Sequence, residues 1–263
     1  MKRKIREIAK AGFDAVALHW NTKGIERMVR DEGMEVHGAA DIGKLADVQP
    51  RLEALAAIGA RTVNVQLCDH DTPTAEALPV VMEVIRVGNA LGLKNHIEVH
   101  RDTCTETPEK TYALADAYEK ATGEKLRMNF DFSHIAVIKH VWHTDYTARL
   151  LTRRDLLQVS QLIHLRPFNG QHCQVAVTNG HGKLSPEFEV WLPFSRDCLA
   201  CWLETARSEE VLTEVPELGC MGSHYGISSF PDIWKDVIRL RKEIDQIWKG
   251  LIRNWNQKTV TKK

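Results

Sequence analysis

Apolar positions in this chain change period repeatedly, and glycines mark most of the changes. Ile5, Ile8 and Ala9 fall at i, i+3 and i+4 between basic residues and predict a helix over residues 1–11. Gly12 stops it, and the apolar run 13–19 reads as a strand. The same unit then repeats. A helix over 25–31 stops at Gly33 before a strand at 34–38, and a helix over 48–58 stops at Gly59 before a strand at 61–67. Next come a helix over 74–91, Gly92 and a strand at 94–99, then a helix over 108–122, Gly123 and a strand at 126–131. Residues 135–158 read as helical in parts, 161–165 as a strand and 211–215 as the last strand. A closing helix over 232–255 carries the stripe Ile233, Val237, Leu240, Ile244 and Ile247.

Helix, glycine and short β-rich run in alternation predict a parallel α/β fold, and 263 residues fit one (β/α)₈ barrel formed as a single domain over 1–263. Only seven strands are visible and the chain opens on a helix, so the barrel lacks its first strand. An open barrel, a segment supplied by another chain, or a true start upstream of Met1 would each account for this. Residues 166–193 form a long excursion after the sixth strand, where a barrel loop would cover the mouth of the active site.

Lys plus Arg and Asp plus Glu both number 35, so no net field draws nucleic acid or an anionic membrane surface. No apolar run approaches a membrane span and no secretory segment follows Met1, so a cytoplasmic protein is expected. The six cysteines are expected to be reduced thiols, with Cys198 and Cys201 on a helix face rather than in a redox or zinc motif.

The chemistry gathers at strand ends. Glu98, Asp131 and His164 each close an apolar run, and Glu217 follows the last one. Three carboxylates and one imidazole suit a hard or borderline cation such as Mn²⁺, Mg²⁺ or Co²⁺, with Zn²⁺ also compatible. Side chains alternate along a strand, so His96, Glu98 and His100 share a face, as do Asn129 and Asp131, and His164 and Arg166.

The run around Glu98, the Asp-Phe-Ser-His element at 131–134, His164 and the Pro-Glu-Leu-Gly at 216–219 together resemble the sugar phosphate isomerase/epimerase family with the xylose isomerase-like TIM barrel. The resemblance covers essentially the whole chain. It implies one divalent metal held by Glu98, Asp131, His164 and Glu217, with Glu98 and Glu217 as the catalytic acid/base pair. It also implies His134 as a substrate contact. Arg166 and Arg101 are candidates for binding a phosphate or carboxylate, Arg101 being equally well read as a rim ion-pair partner. Glu214 rivals Glu217, and His100 rivals Glu98. The implied reaction is isomerisation or epimerisation of a sugar or keto-polyol through an enediolate. A dehydratase or lyase would begin with the same proton abstraction. An apurinic endonuclease-like zinc enzyme would draw on His19, His37 and His70, and a non-catalytic barrel would need none of these groups. The implied partner is a small sugar, without nucleic acid or membrane; a homo-oligomer is compatible with the family.

Overall fold

The computed structural model describes residues 1–223 and 225–261, with side chains through 255. Seven strands lie in one sheet in chain order: β1 (Ala15–His19), β2 (Glu35–Ile42), β3 (Thr62–Leu67), β4 (Lys94–Val99), β5 (Met128–Asp131), β6 (Leu162–His164) and β7 (Thr213–Val215). The chain divides into two compact units, residues 1–129 and 130–263.

In the first unit β1, β2, β3 and β4 pair in parallel, with Ala15 opposite Glu35, Gly38 opposite Val63 and Asn64 opposite His96. The connecting helices are α1 (Lys2–Lys10), α2 (Glu26–Asp31), α3 (Leu45–Ala57), α4 (Thr74–Ala90) and α5 (Pro108–Thr122). The strands are short because the helix period resumes at once, and the turns are sharp because glycine permits a left-handed residue. Gly123 ends α5 at φ 76°, a conformation that costs a side-chain-bearing residue about 1–2 kcal/mol. At the other end of α5 the Thr107 hydroxyl accepts from Lys110 N, and Pro108 fills the first turn, where its missing N–H costs nothing. α4 buries Val80, Val81, Val84, Ile85 and Val87. Gly88 lets it approach β4, because a Cβ there would come within 2.1 Å of the Asn95 amide nitrogen. That amide donates to Val84 O at 2.7 Å.

The second unit holds α6 (Phe132–Ile138), α7 (Tyr146–Leu150), α8 (Arg154–Val159), α9 (Pro186–Leu203) and α10 (Ile233–Thr261). β6 and β7 pair in parallel, with His164 opposite Val215. Stacked and edge-on rings of Phe132, Tyr146, Phe168, Phe188, Trp191 and Phe194 fill its core.

Two expectations are corrected. The excursion after β6 ends at Ser185, not near Pro193. Ser185 accepts from Phe188 N and Pro186 opens α9, so the helix starts early and carries Pro193 inside it. Helix also follows β5 immediately rather than from residue 135, because Asp131 itself caps α6. The excursion is not structureless. Thr178 pairs with Leu184 across a small hairpin, and Asp236 of α10 accepts from Val177 N (2.9 Å), Thr178 N (3.3 Å) and Thr178 Oγ1 (2.6 Å). Cys198 and Cys201 are buried in α9, as their spacing predicts. Among the described residues no helix is long and apolar enough to cross a membrane.

Candidate metal centre

In the second unit, three strand ends bring three ligand-type side chains together. Asp131 ends β5 and caps α6, its Oδ1 accepting from Ser133 N at 3.0 Å. The first turn of α6 then sets His134 Nε2 3.3 Å from Asp131 Oδ2. His164 ends β6. Glu217 lies two residues beyond β7, and its Oε2 is 2.6 Å from His164 Nδ1. One ligand atom from each of Asp131, His164 and Glu217 can be chosen so that all lie within 4.8 Å of one another.

Arg166 sits two residues past His164 and therefore points to the same side. It is 1% exposed. Its Nε donates to Asp131 Oδ2 at 3.1 Å, its Nη2 is 2.5 Å from Glu217 Oε1, and its guanidinium lies 3.9 Å from the centre of the Tyr225 ring. Burial alone would raise the Asp131 carboxyl, but the positive charge of Arg166 and the neighbouring imidazoles of His134 and His164 hold it well below the usual carboxylate range. Burial likewise opposes ionisation of Glu217, yet His164 and Arg166 bring it down to about 2. Both groups are carboxylates at any ordinary pH.

The Pro-Glu-Leu-Gly turn is clamped from the excursion. Gln174 Nε2 donates to Gly219 O at 2.9 Å and Gly219 N donates to Gln174 Oε1 at 2.7 Å. Ser223 and Tyr225 pack where a Cβ on Gly219 would stand, 2.4 and 2.6 Å from it. Glu214, the rival acid, lies near Asp245 of α10, where burial and that charge push it up to about 8.

In the first unit Glu98 is buried near the end of β4, and its Oε2 accepts from Asn64 Nδ2 at 2.7 Å. Asn64 Oδ1 in turn accepts from Asn129 Nδ2 at 2.8 Å. His96 is fully buried, with Nδ1 3.1 Å from Lys94 O. Burial, then the charge of Arg127, brings its pKa down to about 3, so it is a neutral ring. His37 is buried on β2, whereas His19 at the end of β1 pairs with Asp41 of β2, and His70 pairs with Asp102 on exposed turns. Arg101 is exposed on the turn after β4, and His100 Nδ1 contacts the Arg101 carbonyl oxygen at 2.5 Å. His172 turns onto its own loop, 3.1 Å from Asn169 Oδ1.

Sequence reasoning missed Asn64, Gln174 and Tyr225. A polar residue inside the apolar run Val63-Asn64-Val65 was a signal for the first. Gln174 and Tyr225 meet their partners across long stretches of chain, and no local spacing betrays them.

No family model matches this sequence, and no curated protein matches it either. Solved structures do match. A D-tagatose 3-epimerase-like protein superposes over 98% of this chain and 96% of its own, at 14% identity and TM-score 0.58. A xylose isomerase-like TIM barrel protein from Mycobacterium smegmatis, solved in complex with magnesium, covers 95% of this chain and 88% of its own, at 15% identity and TM-score 0.57. The fold is that of the xylose isomerase-like TIM barrels. A third protein of this barrel fold, the probable 3-DHS dehydratase of petrobactin synthesis from Bacillus anthracis, covers 93% of this chain and 92% of its own, at 15% identity and TM-score 0.52. In the present barrel fold the oxygen and imidazole donors of Asp131, His164 and Glu217 suit a divalent cation by number, spacing and chemistry.

Proposed function

We propose that this protein is a divalent-metal-dependent isomerase or epimerase acting on a sugar or keto-polyol through an enediolate. The observation that carries the reading is the convergence of Asp131, His164 and Glu217, two of them ionised against the buried Arg166. Glu98 is the fourth ligand in this reading. It is a buried carboxylate near the end of β4. A divalent cation bound there would supply Lewis-acid stabilisation of the negative charge that develops on substrate oxygens.

The side chains of this chain do the rest. Glu98 and Glu217 are the acid/base pair: one takes the proton from the carbon beside the carbonyl. The other returns it to the opposite face for epimerisation, or to the neighbouring carbon for isomerisation. Asn64 fixes the orientation of Glu98. A carboxylate held as low as Glu217 is a weak base, so positioning supplies most of the effect. His134, beside the Tyr225 ring, is the substrate contact. Arg166 orients two carboxylates while offering positive charge to a substrate oxygen, and Arg101 meets the outer part of the substrate. The balanced charge supports a small neutral or weakly charged substrate over nucleic acid or a membrane surface, and six free thiols support the cytoplasm as the compartment. A homo-oligomer accords with this reading.

The test has two parts. Elemental analysis is expected to find one Mn, Mg or Co per chain; several zinc ions would favour a nuclease and none a non-catalytic barrel. Exchange of a ketose α-proton into D₂O is expected in the wild type and to fall by about 10²-fold or more in both Glu98→Gln and Glu217→Gln. Wild-type exchange in both variants would overturn the reading. A dehydratase, the activity in the name of one structural neighbour, would show the same exchange followed by loss of water from the product.

A further inference from the structure

Two thiols outside the metal centre face one another on adjacent turns of the first unit. Cys68 directly follows β3, and Cys104 lies on the turn after β4. Cys104 N donates to Leu67 O at 3.1 Å, and Cys68 N donates to Ile42 O at 2.8 Å. The first bond sets the Cys104 backbone directly beside that of Cys68, and backbone segments so bonded lie about 5 Å apart. A disulfide spans that separation. Each thiol is the largest influence on the ionisation of the other, which sets the two side chains side by side.

We propose that Cys68 and Cys104 form a reversible, redox-active disulfide, with Cys68 as the attacking thiol and Cys104 as the resolving one. Two observations support this division of labour. Cys68 is half-buried and reachable, whereas Cys104 is 3% exposed. The neighbouring Cys104 thiol lowers the pKa of Cys68, and Cys68, with burial, raises that of Cys104. The backbone is also committed to the geometry: Cys68 (φ 54°) and Asp102 (φ 60°) are two of the three non-glycine residues in the left-handed region among the described residues. The turns are fastened to each other as well. His70 Nδ1 is 2.7 Å from Asp102 Oδ1, and Lys110 Nζ donates to the His70 carbonyl. Closing the bond therefore orders little that is not ordered already.

The co-reactant is a low-molecular-weight disulfide. The Cys68 thiolate attacks one of its sulfurs, forming a mixed disulfide and releasing one thiol. The Cys104 sulfur, losing its proton, then attacks Cys68 Sγ, closes the protein disulfide and releases the second thiol. Two protein thiols are oxidised and one small disulfide is reduced to two thiols. Cys104 lies next to Thr105, whose hydroxyl donates to Glu98 O at 2.5 Å, so the bond would restrain the turn that follows that strand.

The experiment treats the folded full-length chain with glutathione disulfide, quenches by acid and maps tryptic peptides without reduction. The expected result is a linked pair made of peptides 62–86 and 102–110, with two of the six thiols lost and no retained glutathione. Cys104→Ser is expected to stop at a Cys68–glutathione adduct, and Cys68→Ser to leave Cys104 a free thiol. Six unreacted thiols in the wild type, a stable Cys68–glutathione adduct with Cys104 free, or a link from Cys68 to Cys173 or Cys220 would each overturn the proposal. Because the wild type is decisive, poor folding of either variant leaves the test intact.

Discussion

Arg166 is the side chain on which the candidate ligands depend. It is buried, and it neutralises both Asp131 and Glu217. Removing one partner of such a group leaves charges desolvated and unpaired, at a cost of about 3–5 kcal/mol. Arg166→Met, measured by urea unfolding with chelator present, should show a loss of that size. In the double variant Asp131→Asn/Arg166→Met the loss should be smaller than the sum of the single losses by about 1 kcal/mol or more, because the second change removes a charge that the first has orphaned. Strict additivity would mean that the two side chains do not interact. At this scale the sequence was informative about donors and silent about what surrounds them. Asp131, His164 and Glu217 were legible because each closes or follows a short apolar run. The contacts from Gln174 to Gly219 and from Tyr225 to Arg166 span 45 residues or more and leave no periodicity to read.

Elements were read best where glycine punctuates them. β4 and α5 have the bounds that the pattern predicts, since Gly92 and Gly123 stop the helices on their flanks and Thr107 with Pro108 opens the second. The start of α9 was misplaced because the excursion was carried on to Pro193, when Ser185 and Pro186 are the stronger start and the aromatic face of the helix tolerates one lost backbone bond. Packing of an element can also reverse a local preference. Gly88 lies inside α4, where alanine would favour the helix by about 1 kcal/mol. The Asn95 amide occupies the place of that methyl, and Asn95 is buried and tied to Val84 O. Gly88→Ala is therefore expected to destabilise by about 1–3 kcal/mol in denaturant titration. A gain in stability would show that α4 can lift off β4 without loss.

Across the whole molecule a buried group and a half-buried one set opposite limits on the pH of greatest stability. His96 has an ordinary value of 6.5 and a folded value of about 3. Between them the unfolded chain binds the extra proton, so stability is present above 6.5 and falls as pH drops toward 3. Glu214 has an ordinary value of 4.5 and a folded value of about 8. Here the folded chain holds the extra proton, so stability falls as pH rises from 4.5 through 8, by at most about 1.4 kcal/mol per pH unit. Glu214→Gln should flatten the alkaline side of the stability curve measured between pH 5 and pH 9 and leave the acid side unchanged. An alkaline slope as steep as that of the wild type would place the proton elsewhere. The number and order of the strands were legible in the sequence because each glycine-stopped helix returns the chain to the next parallel position. The division at Asn129 was not, because it falls inside β5, where no change of composition marks it.

The hairpin that Asp236 holds gives the chain a place where length is cheap. Its feet, Val177 and Ser185, are bonded to each other, and Val177 is bonded to Asp236 as well; its crown, Asn179 to Gly182, is exposed and turns through two glycines. A short peptide tag spliced between His181 and Gly182 should leave the melting temperature within about 2 °C of the parent, since closing a longer surface loop costs only a fraction of a kcal/mol. That crown is thus a natural port for reporters, and for the insertions by which related chains could diverge.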